Sequence, residues 1–329
     1  MADPITLSLC LIVRNERANL GTCLSSVRQL VGEIVVVDTG STDGTQQLAT
    51  DFGARVIEIP WPGDFSAARN VGLDSARGAW ILVLDADESI APAYADALRR
   101  LSSSPPAAAY RFTQVGVDSN GREIQMDIVR LFPNRPDVRF QFPIHEQVDP
   151  SLARAGIPIR ASGIEITHTG YDSPEKAALK RAHYRTIIEE SLGKNPEPAM
   201  ELHLRYLSAV NYLEDKSWER AGLEFERCML ASPSKTVNLY HFAKLRAAEC
   251  FMLARDYERS LKLLPVQPAL DAHPAARYVR AQIDLVYGHT DAAREWFSAI
   301  TQVAEGPRVP PVDLSALKES ARRYLTSPD

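Results

Sequence analysis

The chain has 329 residues, of which 45% are hydrophobic and 24% charged, and a net charge of −5. That composition excludes intrinsic disorder and a small cross-linked fold, and at roughly 100–200 residues per domain the length suggests two domains. There is no overall basic excess to drive binding to nucleic acid, and no apolar run long enough for a membrane span.

The cysteines, Cys10, Cys23, Cys228 and Cys250, form no CxxC pair and read as buried thiols in a reducing compartment. The opening Met-Ala-Asp-Pro carries no basic segment, and the apolar stretch Leu9 to Val13 is too short for a signal-peptide core. The expected location is cytoplasmic.

Ile5 to Val13 predicts a buried strand, and Leu20, Leu24, Val27 and Leu30 follow at helical spacing. Glu33-Ile-Val-Val-Val-Asp38 predicts a central parallel strand. Thr39 to Gly44 is a turn cluster, and Thr45 to Asp51 a helix stopped by Gly53. Arg55 to Ile59 predicts a third strand, closed by Pro60 and Pro62. Phe65 to Ala76 reads as a helix with Gly78 as its C-cap, and Trp80 to Leu84 as a fourth strand running into Asp85-Ala-Asp87. Such alternation implies β-α-β units and a parallel sheet covered on both faces.

From about Ala108 to Gly170 short β-like runs recur: Tyr110-Arg-Phe112, Ile128 to Phe132, Arg139 to Phe142 and Ile164-Glu-Ile166. They predict a mixed-sheet extension of the same domain. From Pro174 the pattern is helical. Ala221, Phe225, Cys228 and Pro233 set a spacing whose first part returns in Ser260, Leu264 and Gln267, and again in Ala293, Phe297 and Ile300. Trp218, Tyr257 and Thr290 precede the three sets, and Tyr212, Phe251 or Asp284 lies in the helix before each. This resembles the tetratricopeptide repeat, a helix–turn–helix unit of about 34 residues. An irregular helical bundle is the alternative.

The sequence has no GxGxxG after the first strand and no GxxxxGK[ST], HExxH or GxSxG. Its strongest chemical feature is Asp85-Ala-Asp87 at the end of a buried strand, where open α/β sheets bind ligands. Clustered carboxylates there suit Mg²⁺ or Mn²⁺; capping the next helix or facing solvent is the other reading. Asp38 ends the second strand at the same edge, or is a turn residue before Gly40. Asn15 and Glu16 follow the first strand, or cap the next helix. Arg69, beside Asn70 near a helix start, could reach a phosphate or form a surface ion pair. Four strand or helix ends thus converge on one crevice.

Four blocks carry a family resemblance: Leu11-Ile-Val-Arg-Asn-Glu16, Ile34 to Thr45, Asp64-Phe-Ser-Ala-Ala-Arg-Asn70, and Trp80 to Glu88. They resemble family 2 glycosyltransferases of GT-A fold. More narrowly they resemble the bacterial branch that joins this domain to tetratricopeptide-like helices and includes the S-glycosyltransferases acting on glycocin peptides. The likeness continues through Arg130-Leu-Phe132, Arg139-Phe140, Ile144-His-Glu146 and Ile166-Thr-His-Thr-Gly-Tyr171. Phe142 and Pro143 depart from the small and basic residues usual before the His-Glu pair, on the acceptor side.

The resemblance implies a mixed, mostly parallel GT-A domain over 1–172 and an all-α tetratricopeptide-like domain over 173–329. Asp38 would accept from the base N3–H of a sugar nucleotide, with the backbone of Val13, Arg14 and Asn15, beside Glu16, holding base and ribose. Arg69 would approach the base or diphosphate. Asp85 and Ala86 would face the ribose, and Asp85 a metal-bound water. Asp87 would bind Mn²⁺ or Mg²⁺ directly, with His168 as a third ligand or a structural hydrogen-bonder. Glu146 is the expected base, His145 the other choice, and a salt bridge of Glu146 with Arg139 or Arg154 the structural reading. The expected activity is inverting transfer from a UDP-linked sugar to a peptide or protein acceptor. A saccharide or lipid-linked acceptor comes second, and a non-catalytic repeat scaffold is the reading from another class. The helical half is expected to bind acceptor or form a homodimer.

Overall fold

The computed structural model describes residues 6–117, 123–170, 174–231, 238–266, 273–304 and 314–326. Contacts divide the chain into two units, Met1–Ile187 and Ile188–Asp329. The division expected at 172/173 falls earlier, and the first part of α6 (Pro174–Leu192) groups with the sheet.

In the first unit β1 (Leu7–Val13), β2 (Glu33–Asp38), β3 (Arg55–Glu58) and β4 (Trp80–Val83) alternate with α1 (Arg17–Val27), α2 (Thr45–Asp51) and α3 (Phe65–Ser75). Then come β5 (Glu88–Ile90), α4 (Ala95–Ser103), β6 (Ala109–Val117), β7 (Glu123–Pro133), α5 (Asp149–Arg154) and β8 (Ile159–His168). All eight strands form one sheet, ordered β3-β2-β1-β4-β7-β6-β8-β5. β3, β2, β1 and β4 pair in parallel, as do β6 and β8; β7 is antiparallel to both its neighbours, and β5 to β8.

The period-two alternation of the strands sorts their side chains onto two cores. Leu7, Leu9, Leu11 and Val13 pack with Leu20, Leu24 and Val27 of α1 on one face. Cys10, Val35, Ile81 and Val83 pack with Leu73 of α3 on the other. The chain steps outward from β1 to β2 to β3 and then returns beside β1 as β4. The crevice where the strand order reverses therefore opens at the carboxyl ends of β1 and β4.

Local expectations are corrected at three places. Leu30 lies beyond α1, in a turn against the first core. Gly78 is not a helix cap: α3 ends at Ser75, and a Cβ on Gly78 would stand 2.7 Å from the backbone nitrogen of Ser8. That glycine is needed because β1 passes against it. Arg139 to Phe142 is not a strand. Its backbone turns away to Asn70 and Gln147, and Phe142 holds a φ of 75°.

The second unit contains α7 (Pro198–Glu214), α8 (Trp218–Ala231), α9 (Asn238–Leu253), α10 (Tyr257–Leu263), α11 (Pro274–Val286), α12 (Thr290–Thr301) and α13 (Leu314–Thr326). Consecutive helices pack as hairpins, α7 on α8, α9 on α10 and α11 on α12. Trp218, Tyr257 and Thr290 each open the second helix of a pair. Ala221, Phe225, Cys228, Ser260, Leu264, Ala293, Phe297 and Ile300 are buried. Pro233 and Gln267 of the same pattern lie outside the described residues, as does Tyr171. A Cβ on Gly222 would meet the Phe251 ring at 2.7 Å, so that glycine sets how closely α8 approaches α9.

All four cysteines are free and buried, and burial pushes the thiols of Cys10, Cys228 and Cys250 up to about 12. No described helix is long and apolar enough to cross a membrane.

Phe225 is fully buried among Tyr206, Phe242 and the small residues of α8 and α9. Phe225→Ala is expected to cost about 3–5 kcal/mol. Urea denaturation followed by far-ultraviolet circular dichroism checks this; a loss below about 1 kcal/mol would mean the hairpins collapse onto the cavity.

Candidate active site

A cavity of about 410 Å³ opens at the carboxyl edge of β1 and β4. Of the residues singled out from the sequence, Val13, Arg14, Glu16, Arg69, Asp85, Ala86, Asp87, His145, Glu146 and His168 all line it. Asp38 and Asn15 do not. Asp38 is fully buried under the turn that follows β2, where its Oδ1 accepts from the backbone of Gly40 and Ser41 and from Gln46 Nε2. Its Oδ2 is buried without a hydrogen-bond partner. Asn15, at a φ of 56°, turns its side chain to the same turn and accepts from the Thr42 backbone at 2.8 Å. Glu16 accepts from Asn19 Nδ2 at 2.9 Å. Burial pushes its carboxyl upward, helped by the negative charges of Asp87, Asp43 and Asp85 and opposed by the Asn19 bond.

The centre of the site is a chain of charges in which Arg69, Arg130 and Glu88 are buried and Asp85 and Glu146 half-buried. Arg69, on the second turn of α3 and only 8% exposed, donates through Nη2 to Asp85 Oδ1 at 2.6 Å and through Nε to Glu146 Oε1 at 2.5 Å. Its guanidinium lies 5.4 Å from the Phe140 ring centroid, and its Nη1 is buried without a partner. The surface ion pair is thus excluded for Arg69. On the other side of Asp85, Arg130 of β7 donates to Oδ2 at 2.8 Å and also pairs with Glu88. Glu88 accepts in addition from the Asp85 backbone nitrogen at 2.8 Å and from Gln114 at 2.6 Å. Burial works against the charge on Asp85, but Arg130 and Arg69 outweigh it and hold that carboxyl well below the usual range. Glu88 lies the other way: burial raises it, and Arg130 only partly offsets the rise.

Glu146 sits in a closed loop. Gln141 and Gln147 exchange two backbone hydrogen bonds, and within the loop Phe142 and His145 both have positive φ, at 75° and 50°. The loop is fastened to α3: Asn70 exchanges side-chain bonds with the Phe140 backbone at 2.9 and 3.0 Å, and the Phe65 nitrogen donates to Pro143 at 2.9 Å. The salt bridges considered for Glu146 are replaced by Arg69. Arg139 pairs instead with Asp74, and Arg154 faces Gln141.

Asp87 and His168 meet because β5 runs antiparallel to β8 with Glu88 opposite His168. His168 Nε2 lies 3.2 Å from Asp87 Oδ2, and the hydrogen bond to Asp87 raises the imidazole's pKa against the effect of burial. The chain then passes close above: a Cβ on Gly170 would lie 2.0 Å from Asp87 Oδ2 and 2.9 Å from His168 Nε2. An oxygen and an imidazole nitrogen converging under a glycine suit a hard divalent cation held by few protein ligands, with the remainder from substrate phosphate and water. Asp85, expected in the same set, has each oxygen engaged by a guanidinium. Among the described residues no three His, Cys, Asp or Glu side chains gather as a metal site. The fit is therefore to two protein ligands, Asp87 and His168.

Sequence reasoning left several lining residues without a role: Thr39, Trp61, Phe65, Lys180, His183 and Tyr184. Arg130, Glu88 and Gln114 were missed as supports. A signal for Arg130 existed, since a lone arginine inside the apolar run Ile128 to Phe132 demands a buried partner.

The sequence model of the family described as Glycosyl transferase family 2 matches residues 8–154. A TPR repeat-containing protein of Synechococcus elongatus is 34% identical over 319 residues, covering 89% of this chain and 75% of that protein. The SPbeta prophage-derived glycosyltransferase SunS of Bacillus subtilis is 28% identical over 233 residues; the match covers 65% of this chain and 53% of SunS, about half its length. Among solved structures, S. aureus TarS 1-349 in complex with UDP-GlcNAc aligns with a TM-score of 0.50 at 17% identity, covering 78% of this chain and 90% of that one. The chain belongs to glycosyltransferase family 2, a GT-A fold followed by a helical C-terminal region.

Proposed function

We propose that this chain transfers a sugar from a UDP-linked donor to a peptide or protein acceptor, inverting the anomeric carbon, with Mn²⁺ or Mg²⁺ as cofactor. The observation that carries the reading is Arg69: one buried guanidinium ties the carboxylate at the donor strand end, Asp85, to the carboxylate in the acceptor loop, Glu146. UDP is favoured by the TarS complex with UDP-GlcNAc, whose fold this chain shares.

Val13, Arg14 and Thr39 would flank base and ribose. Asp85, fixed as an anion between Arg69 and Arg130, accepts from the ribose hydroxyls or a bound water. Arg69, which lines the cavity, would approach the diphosphate. Asp87 and His168 would hold the cation, which neutralises charge building on the leaving diphosphate. Glu146 takes the proton from the acceptor atom as that atom bonds to the anomeric carbon and the bond to the diphosphate oxygen breaks. The helical region, whose hairpins resemble tetratricopeptide repeats and whose relative in Synechococcus elongatus carries that name, would present the acceptor; such repeats offer extended surfaces for peptides.

The test is a screen of UDP-sugars for Mn²⁺-dependent hydrolysis without acceptor. Turnover by the wild type, and its loss with Mn²⁺-dependent UDP affinity in Asp87→Ala, is the expected result; unchanged calorimetric affinity in that variant would move the cation elsewhere.

Glu146→Gln keeps size and shape but removes the proton-accepting charge. Donor affinity should persist while transfer falls roughly 10²–10⁴-fold. Near-normal transfer would give the role to His145.

Gly170→Ala places a methyl where Asp87 Oδ2 and His168 Nε2 now stand. Mn²⁺-dependent UDP affinity should drop with little change in the urea midpoint. Retained affinity would show that Asp87 can turn aside without leaving the ion.

A further inference from the structure

The cavity has two unlike walls. One carries Glu16, Asp85, Asp87 and His168. The other is built of rings from four separate segments. Trp61 follows β3, Phe65 opens α3, His145 lies in the 141–147 loop, and His183 and Tyr184 lie on the first part of α6. Trp61 and Phe65 have ring centroids 4.7 Å apart at 65°. Tyr184 meets Phe65 at 6.2 Å and 89°, and His145 at 5.8 Å and 66°. His183 lies 6.2 Å from Trp61, inclined at 45°.

These rings are not core. Neither hydrophobic cluster of the sheet includes them; Trp61, Phe65 and Tyr184 are half-buried, and His145 and His183 are exposed. The segments that carry Trp61 and Phe65 are nevertheless fixed. Pro60 and Pro62 bracket Trp61. Asp64 caps α3 by accepting from the Ala67 nitrogen at 2.9 Å, and Phe65 is tied to Pro143. A fixed set of rings held open to a cavity is a recognition surface.

The donor reading makes no use of this wall. His145 adjoins Glu146 in the loop, so an acceptor atom within reach of Glu146 belongs to a molecule lying along the rings. Their mutual inclinations, from 45° to 89°, make a cleft of faces and edges instead of a flat platform for a pyranose. Such a cleft fits a compact apolar or aromatic side chain. The Lys180 ammonium stands 6.0 Å from the Tyr184 ring centroid, at the edge of the same wall.

We infer that this wall is the acceptor subsite, and that it takes a peptide carrying an apolar or aromatic side chain beside the residue to be glycosylated. The inference rests on the transferase reading above.

The experiment uses the full chain, the UDP-sugar hydrolysed in the screen, and synthetic peptides with a central Ser, Thr or Cys. The flanks are Trp-Gly, Leu-Gly or Gly-Gly, and methyl glucoside serves as the saccharide probe. Trp-Gly and Leu-Gly peptides should be preferred. Trp61→Ala and Tyr184→Ala should raise the KM for those peptides roughly 10-fold, far beyond any change in donor KM, and Tyr184→Phe should restore most of the loss. Preference for Gly-Gly peptides or for methyl glucoside overturns the subsite, as does a rise in donor KM with peptide KM unmoved. Absence of UDP-sugar turnover in the wild type overturns the transferase reading itself, and is told apart because the subsite variants then have no activity to alter.

Discussion

Arg69 holds the first unit's chemistry together. Its two carboxylate partners lie 16 and 77 residues away in sequence, one at a strand end and one in a loop. Buried guanidiniums and carboxylates cost several kcal/mol each to remove from water, and the arrangement is tolerable only when partners are close and lone pairs are used. Here the alternation Glu146–Arg69–Asp85–Arg130–Glu88 gives every charge an opposite neighbour, and Gln114 and the Asp85 backbone complete the shell around Glu88. Removing Arg130 would leave Glu88 buried without its counter-charge. The network therefore fixes geometry more than it adds stability: Asp85 cannot turn, so neither can the strand end that carries Asp87.

Around this line the fold does simple work. Parallel strands bring Val13, Asp38 and Asp85 to one edge, and the reversal of strand order between β1 and β4 leaves a crevice there. The antiparallel extension adds what parallel strands cannot. β7 delivers Arg130 from the side, and the β5–β8 pairing swings His168 to Asp87. Mixed strand direction is thus what lets residues far apart in sequence reach a single cavity.

Much of this was legible before any coordinates. Apolar runs such as Glu33 to Asp38 and Trp80 to Leu84 are too short for helices and too apolar for surface strands, so their place at the sheet centre follows from composition. The carboxylates at their ends inherit that place. What the pattern did not disclose was partnership. Nothing near Asp85 announces Arg130, and the separation of 45 residues is set by hairpin register, which local periodicity does not encode. Arg139 to Phe142 alternates like a strand, yet its hydrogen bonds go to a side chain on α3 and to the far end of its own loop. Tyr184 was read as part of a separate helical half because helix period alone cannot say which core a helix joins. Asp38 was assigned to the base from resemblance, and its buried position under the turn, outside the cavity lining, was not foreseen.

The loop over 141–147 has a consequence for redesign. Phe142 and His145 sit in backbone conformations that non-glycine residues adopt at a cost on the order of 1–3 kcal/mol each. Left to itself the segment would relax into another shape. What keeps it in place is α3, through Asn70, Ser66, Phe65 and Arg69. The two stretches, 64–70 and 139–147, are a single cassette although seventy residues of chain separate Asn70 from Phe140. Transplanting the loop alone into a relative would deliver the right residues in the wrong shape; carrying its helical turn with it would move the acceptor end intact.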